Sequence, residues 1–199
     1  MDGVTAVHLF DEQAEALLEG ARRVLAIEGP GALTVRRIAA EAGVSTMGVY
    51  SRFGGKDGVI EALFVDAFRG LSVAIAASQD PSPADPVERL LRGCRAYRRY
   101  ALENPSYYRI MFERFLPEWV PSPEAAEESY ASFNMLAASL ASGVAAGAFV
   151  ADDPILAAHA VWAVCHGLVS LELQGMGQAD HDEAYELALR TIANGLAAG

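Results

Sequence analysis

Apolar residues recur at spacings of three and four along almost the whole chain, and this period predicts α-helices. The first clear helix carries its apolar residues on one face. Those residues are Ala14, Leu17, Leu18, Ala21, Val24 and Leu25. Further stripes extend over 60–75 and 185–196. Because no segment keeps the two-residue alternation of a half-buried strand, and no repeat of fixed period occurs, the pattern predicts an all-α protein.

Glycine and capping residues divide the beginning of the chain into three helices. Gly29-Pro30-Gly31 ends the first helix, and Thr34 can cap the second. Gly43 suits the left-handed residue that closes the second helix. Ser45 can then cap a third, short helix, which Gly54-Gly55 ends. We therefore predict a compact three-helix domain over residues 1–58.

The remainder of the chain, residues 59–199, is predicted to form a helical bundle. A fourth helix extends from Lys56 to about Ser78, and a polar, proline-rich connection over 79–86 follows it. Later helices begin at Asp85-Pro86, Asn104-Pro105, Ser122-Pro123, Asp153-Pro154 and Asp180. The helix that begins at Ser122 is predicted to run to about Gly147. The chain thus has about nine predicted helices.

The segment Thr34–Lys56, TVRRIAAEAGVSTMGVYSRFGGK, has the organisation of a helix-turn-helix. Its tight turn would let the second helix lie in a major groove of DNA while the first helix braces it. Val49 and Phe53 are four residues apart and are predicted to face the core. The outward face is then left to Thr46, Met47, Gly48, Ser51 and Arg52. Arg52 could bind guanine through two hydrogen bonds.

Charge is distributed unevenly along a chain whose formal net charge is −11. Residues 1–58 carry six basic and eight acidic groups, a net charge of −2, whereas residues 59–199 carry nine and eighteen, a net charge of −9. Within Thr34–Lys56, four basic groups stand against Glu41 alone. An acidic chain argues against general nucleic-acid binding, so DNA binding is expected only at this locally basic segment.

This segment resembles the helix-turn-helix of the TetR family of bacterial regulators. The matching positions are Thr34, Ile38-Ala39, Gly43-Val44-Ser45, Val49-Tyr50, Phe53 and Lys56-Asp57. The resemblance implies that Tyr50 and Lys56, the only lysine in the chain, contact phosphates. Met47, Gly48 and Arg52 depart from the usual family residues, which leaves the operator sequence open. The candidate DNA-binding residues are Thr34, Arg36, Ser45, Thr46, Met47, Gly48, Tyr50, Ser51, Arg52 and Lys56.

Residues 162–167, WAVCHG, resemble the Trp-His-Gly pattern of one C-terminal subtype of the same family. The resemblance implies a domain that binds a small molecule and pairs its last two helices with those of a second subunit. A coiled-coil-like seam is predicted over Ile155, His159, Trp162, His166, Val169 and Leu173. Beside it lies a stripe of small residues, which is the predicted dimer contact. The stripe comprises Ala160, Ala163, Gly167 and Ser170.

The effector is expected to be a neutral, largely apolar small molecule, because the second domain is acidic and its candidate interior residues are mostly aromatic. The candidate effector-binding residues are Tyr97, Met111, Phe112, Phe115, Phe133, Trp162, Cys165 and His166. The same aromatic residues could instead form a plain core. The arginines within Arg89–Arg99 are interpreted as a solvated face, with an anion or acyl-carrier contact as the alternative.

The sequence therefore predicts a homodimer that binds a palindromic duplex operator, represses transcription and is released by the effector. No cofactor, metal or catalytic site is predicted, and His159 and His166 lie roughly 10 Å apart along a helix, too far to share one metal ion easily. Cys94 and Cys165 form no CxxC motif, which favours the reducing cytoplasm. The uncharged stretches 129–151 and 154–171 contain polar residues and are interpreted as buried helices, not membrane spans.

Two other function classes stay open on the sequence alone. One is a helical small-molecule carrier or enzyme in which the N-terminal helices are only structural. The other is a helical adaptor that binds protein instead of DNA. A pull-down with duplex genomic fragments would separate these classes from a regulator.

Overall fold

The computed structural model describes residues 12–82, 84–113 and 119–197. The described residues form ten α-helices and one 3-10 turn, and the only strand-like pairing among them is a single bridge between Phe149 and Ala197. The all-α prediction is confirmed. The elements are α1 (Glu12–Glu28), the 3-10 turn Pro30–Ala32, α2 (Val35–Ala42), α3 (Thr46–Phe53), α4 (Lys56–Ala77), α5 (Pro86–Glu103), α6 (Pro105–Phe112), α7 (Pro123–Ser129), α8 (Ala131–Ala145), α9 (Pro154–Leu173) and α10 (His181–Leu196).

Side-chain caps begin α5, α9 and α10 where the sequence predicts them. The Asp85 carboxylate accepts a hydrogen bond from the backbone N–H of Val87 at 2.9 Å, and Asp180 accepts one from Glu183 at 2.9 Å. Asp153 caps α9 by accepting from the backbone N–H of Ile155 at 2.8 Å. Each bond satisfies an amide that the first helical turn leaves without an intrahelical partner.

The helix predicted from Ser122 to about Gly147 is two helices in the structure, α7 and α8. At the break, the Tyr130 N–H bonds to the Glu127 carbonyl at 3.1 Å, three residues back instead of four. The Ser129 hydroxyl donates to the Ala126 carbonyl at 2.6 Å. A serine that binds the preceding turn competes with the regular helical ladder, so composition alone did not reveal this interruption.

The described residues divide into two compact units. One unit falls within Met1–Asp66 and Ser106–Ser122, and the other falls within Ala67–Pro105 and Pro123–Gly199. The first half of helix α4 thus belongs to the first unit, and its second half belongs to the other. The boundary at residue 58 between DNA-binding and effector-binding domains stays a prediction.

The first unit is built on α1, whose apolar face packs against α2 and α3. Leu17, Leu18 and Leu25 of α1 are fully or almost fully buried, as are Ile38 of α2 and Val49 of α3. Close packing requires a small residue where the helices meet. A Cβ added at Gly20 would lie 3.0 Å from the Cβ of Ala42.

The second unit is a bundle in which α5, α8 and α10 all pack against α9. The buried stripe of α9 consists of Ala158, Val161, Cys165 and Val169. The predicted seam lies about one residue away from this buried stripe, and Ile155 and His159 at its beginning are exposed in the protomer. By length and composition α9 is one helix that could cross a membrane, but its packing against three helices is that of a bundle helix.

Candidate nucleic-acid interface and effector site

The turn between α2 and α3 has the geometry that a helix-turn-helix requires. The Thr34 hydroxyl accepts a hydrogen bond from the Arg37 N–H at 3.2 Å, and the Ser45 hydroxyl accepts one from the Gly48 N–H at 3.3 Å. Gly43 closes α2 with a φ of 68°, in the left-handed region that glycine adopts without strain. The local sequence therefore fixes both ends of the turn and the start of α3.

Helix α3 presents most of the predicted DNA-binding residues on its outward side. Met47 is 71% exposed and Tyr50 is 54% exposed, whereas Val49 between them is completely buried. Thr34, Arg36, Ser45, Thr46 and Ser51 are exposed, and Gly48, Arg52 and Lys56 are partly exposed. An apolar side chain as exposed as Met47, on a helix anchored from behind by Val49, suits contact with a base edge or a thymine methyl.

The side chain of Arg52 lies against α3, the helix to which it belongs. Its Nη1 donates to the Ser51 hydroxyl at 3.3 Å, and the same atom lies 4.0 Å from the position of a Cβ added at Gly48. This is an ordinary van der Waals distance, so the guanidinium lies beside Gly48 on α3 without crowding it. From there Arg52 can reach a base or a phosphate by a change of rotamer.

One arginine of the locally basic segment is engaged within the protein. Arg37 lies 2.7 Å from a carboxylate oxygen of Glu28 and 2.8 Å from one of Glu41. These two hydrogen bonds raise the pKa of Arg37, and Arg23 and Arg37 together hold the pKa of Glu41 below its usual range. Two carboxylates of the protein itself therefore neutralise the charge of Arg37.

The beginning of α4 is fitted tightly to the end of α3. A Cβ added at Gly58 would lie only 1.8 Å from the backbone carbonyl oxygen of Phe53. Lys56 is the first residue of α4, so its position relative to α3 is fixed by this close approach. A lysine beside a helix N-terminus, where amides and the helix dipole favour anions, is well placed to bind a phosphate.

A polar cluster behind α1 was not predicted from the sequence. Arg22 donates to Asp66 at 3.0 Å and to the Tyr107 hydroxyl at 2.8 Å, and the Tyr107 hydroxyl donates to Asp66. Burial and the Asp66 hydrogen bond raise the pKa of Tyr107. The cluster ties α1, α4 and α6 of the first unit together through residues that are 41 to 85 positions apart.

Four of the candidate effector-binding residues come together in the second unit. The ring of Trp162 lies 6.1 Å from that of Phe133 and 5.6 Å from that of His166. His159, which was not among the candidates, joins them with its ring centroid 4.4 Å from that of Phe133. The Tyr97 hydroxyl and His166 Nδ1 are 3.0 Å apart, and burial lowers the pKa of His166. We call these five residues the aromatic cluster.

The other candidates lie elsewhere. Met111 and Phe112 belong to the first unit, where Phe112 packs edge-on against Tyr108 at 5.0 Å. Cys165 belongs to the buried stripe of α9 and not to the side that carries Trp162. Phe115 lies outside the described residues.

The small-residue stripe of α9 faces outward in the protomer. Ala160 and Ala163 are exposed, and a Cβ added at Gly167 would meet no atom within 4 Å. Ser170 is half-buried. Larger apolar residues of α9 and α10 are also exposed. They are Leu156, Val164 and Leu171 on α9 and Leu187 on α10. An apolar surface of this kind, rimmed by polar groups, is typical of a protein contact.

Comparison with known families agrees with both the helix-turn-helix and the C-terminal helical bundle. The model of the bacterial regulatory proteins of the tetR family matches residues 17–63. The model of the tetracyclin repressor-like C-terminal domain matches residues 90–192, about half of the chain. The chain belongs to the TetR family. It is therefore a transcription regulator with a helix-turn-helix DNA-binding domain.

Individual relatives cover most of this TetR-family chain. It is 27% identical to the HTH-type transcriptional regulator Rv1816 of Mycobacterium tuberculosis, over 85% of this chain and 84% of the relative. A protein of unknown function from Rhodococcus sp. RHA1 superposes with a TM-score of 0.84 at 25% identity, over 96% of this chain and 98% of that one. The TetR-family regulator PfmR from Thermus thermophilus superposes with a TM-score of 0.69 at 27% identity, over 90% and 98% of the two chains.

Proposed function

We propose that this TetR-family protein is a cytoplasmic repressor that binds a palindromic operator as a homodimer and is released by a small molecule. The observation that carries the DNA-binding part is the outward face of α3. This face is capped at Ser45, anchored by the buried Val49, and carries Met47 and Tyr50 exposed on the other side. Each protomer would place α3 in one half-site, with half-sites about 34 Å apart. The protein would act by binding, without catalysis.

The outward stripe of α9 supports the homodimer. In a two-fold dimer the same surface of both subunits meets, so Ala160, Ala163 and Gly167 would face their own counterparts or α10 of the partner. Small side chains allow two helices to approach closely, and the exposed Leu156 and Leu187 would be covered at the edges of that contact.

The aromatic cluster supports an effector site in the second unit. Its rings offer apolar surface, and Tyr97 and His166 offer a hydroxyl and an imidazole to orient a ligand. The low pKa of His166 keeps the imidazole neutral at pH 7, which suits the neutral, largely apolar effector that we propose. The Trp-His-Gly motif supplies two of these residues, and we keep assignment to that C-terminal subtype as part of the proposal.

The response to the effector would be a population shift between two arrangements of the DNA-binding helices. Helix α4 carries Lys56 at its beginning and extends to Ala77 in the second unit, so it is the element that we propose as a lever. The cluster of Arg22, Asp66 and Tyr107 would make α1 follow the first half of α4.

The test is binding to an operator selected from genomic fragments, measured as a function of salt. Lys56→Ala should weaken binding to all sequences and reduce the salt dependence, because one phosphate contact and its released counterion are lost. Tyr50→Phe should also weaken all sequences alike. Arg52→Ala should relax base preference at one position, at a cost of about 1–3 kcal/mol.

Arg99→Ala is the matched control, since it removes one exposed positive charge in the second unit. It should leave operator affinity and the salt slope unchanged. Unchanged operator affinity in all three α3 and α4 variants would show that this face does not bind DNA. Failure to recover any duplex fragment would instead favour the carrier or adaptor interpretation.

A further inference from the structure

Arg98 of α5 binds both α9 and α10. Its Nε and Nη2 atoms donate to the two carboxylate oxygens of Glu172, in the last turn of α9, at 2.8 and 2.7 Å. The same Nη2 atom donates at 2.6 Å to Asp182, in the first turn of α10. One guanidinium thus connects the end of α9 to the beginning of α10. We call Arg98, Glu172 and Asp182 the Arg98 triad.

The connection between α9 and α10 is exposed throughout. All seven residues over 174–180 are exposed, and Gly175 and Gly177 have φ values of 64° and 122°, in the region that favours glycine. An exposed connection of this kind exerts little control over the two helices that it joins. The angle between α9 and α10 therefore depends on side chains within the bundle.

The Arg98 triad lies beside a buried anchor of α10. The Tyr185 hydroxyl donates to the backbone carbonyl of Cys94 at 2.7 Å, and the Arg98 guanidinium lies 5.1 Å from the centroid of the Tyr185 ring. Apolar packing, as at the buried Leu189, is not directional. The bidentate pair is directional, because the planar fork of Arg98 has to lie in line with the Glu172 carboxylate.

Arg98 and Glu172 are largely withdrawn from solvent, with 15% and 17% of their side-chain surfaces exposed. Arg98 therefore does not belong to the solvated face that the sequence predicts for this segment. The cost of removing two charges from water offsets their attraction, so such a pair adds little net stability relative to apolar residues of similar size. Separating the two charges inside the protein is nevertheless costly. The pair thus acts mainly against helix arrangements in which Glu172 is displaced.

Both helices that the triad connects carry exposed apolar residues. Leu171, next to Glu172 on α9, is 43% exposed, and Leu187 of α10 is 59% exposed. We propose that Arg98 is a positioning residue of the homodimer, which holds α9 and α10 at the angle where their exposed apolar residues fit the second subunit. This role rests on the homodimer proposed above.

A neighbouring ion pair provides a matched control. Arg95, one turn before Arg98 on α5, donates to both carboxylate oxygens of Glu186 at 2.8 and 2.9 Å. This pair connects α5 to α10 and does not include α9, and its side chains are 42% and 37% exposed. Because an exposed ion pair contributes little and this one does not set α9 against α10, its removal should hardly affect the dimer.

The test replaces each pair by methionines in the full-length protein and measures the dimer Kd by sedimentation equilibrium. Arg98→Met with Glu172→Met leaves no buried charge, since Asp182 is 82% exposed and stays solvated. We expect this double variant to raise Kd at least tenfold, whereas Arg95→Met with Glu186→Met should raise it less than twofold. Arg98→Lys should also weaken the dimer, because lysine keeps the charge but lacks the planar fork.

A merely structural role of Arg98 would appear as lost stability. Urea unfolding is therefore compared in the Ala163→Glu background, where the charge on the outward stripe is expected to keep the protein monomeric. Arg98→Met with Glu172→Met should leave the midpoint there unchanged or higher. An unchanged Kd, equal weakening by the two methionine pairs, or a lower midpoint in that background would overturn the role of Arg98. A wild-type chain that sediments only as a monomer would instead contradict the proposed homodimer, and the positioning role with it.

Discussion

A charge on the outward stripe of α9 should separate the proposed dimer without harming the protomer. The variants are Ala163→Glu and Gly167→Glu. Ala163 is exposed, and a side chain at Gly167 would enter open space in the protomer. Replacing a glycine inside a helix by glutamate also removes an unfavourable helix propensity of roughly 0.5–1 kcal/mol. The fold of each subunit should therefore be kept.

The same substitutions should strongly destabilise the dimer, because a two-fold contact contains every mutated position twice. An uncompensated buried charge costs about 3–5 kcal/mol. Two such charges, at about 3 kcal/mol each, weaken the dimer by about 6 kcal/mol, roughly ten-thousandfold in Kd.

A milder apolar variant gives a graded comparison. Leu156 is 69% exposed in the protomer, and truncation to alanine removes three carbon atoms at about 0.8 kcal/mol each. Because only the exposed 69% of this side chain can become newly buried in the dimer, the loss over two subunits is about 3 kcal/mol, or roughly a hundredfold in Kd.

Sedimentation velocity at micromolar concentration measures the effect. Ala141→Glu on α8 is the matched control, since Ala141 is an exposed alanine on a different helix of the same unit. It should remain dimeric. If the two α9 glutamate variants fold and associate as tightly as the unchanged protein, the dimer interface lies on another face.

Three further predictions concern the polar and aromatic contacts. Tyr107→Phe removes the hydroxyl that bridges α1 to Asp66, so it should lower the free energy of unfolding by about 1 kcal/mol and change operator affinity with it, as urea titration and DNA binding would show. Burial places the pKa of His166 below its ordinary 6.5. The contribution of His166 to the free energy of unfolding should therefore be complete above pH 6.5 and be lost as pH falls through the lower, folded-state pKa. His166→Gln should flatten this pH dependence. Trp162→Phe should keep fold and operator affinity but alter the effector response, and tryptophan fluorescence of the unchanged protein should shift on effector binding; a flat signal would place the site elsewhere.

The DNA-binding part could be predicted closely because its determinants are local. Thr34, Gly43 and Ser45 act on amides and carbonyls within three or four residues, so their effect is visible in a short stretch of sequence. The role of Arg37 could not be predicted in this way. One of its partners, Glu28, belongs to the preceding helix, and only the packing of α1 on α2 brings the two together.

The effector region was less predictable because α9 is apolar on nearly every side. Periodicity assigns a face only when another face is polar, and here the buried stripe differs from the predicted seam by about one residue. Cys165 was therefore assigned to the effector site although it belongs to the core. The cluster of Arg22, Asp66 and Tyr107 left no sequence signal at all, because its members are separated by dozens of residues.

Helix α9 is apolar on several sides because each of these sides has a different contact to make. One side carries Ala158 and Cys165 into the bundle, a second carries Trp162 and His166 into the aromatic cluster, and a third carries Ala163 and the open position at Gly167 outward. Consecutive residues of a helix are about 100° apart, so these sides adjoin one another on a single rigid rod. If the effector binds more tightly when Trp162 is in one of two positions, it must therefore also favour the matching position of the outward stripe. In the proposed dimer, effector binding would therefore bias the contact between the two α9 helices as well as the position of α4.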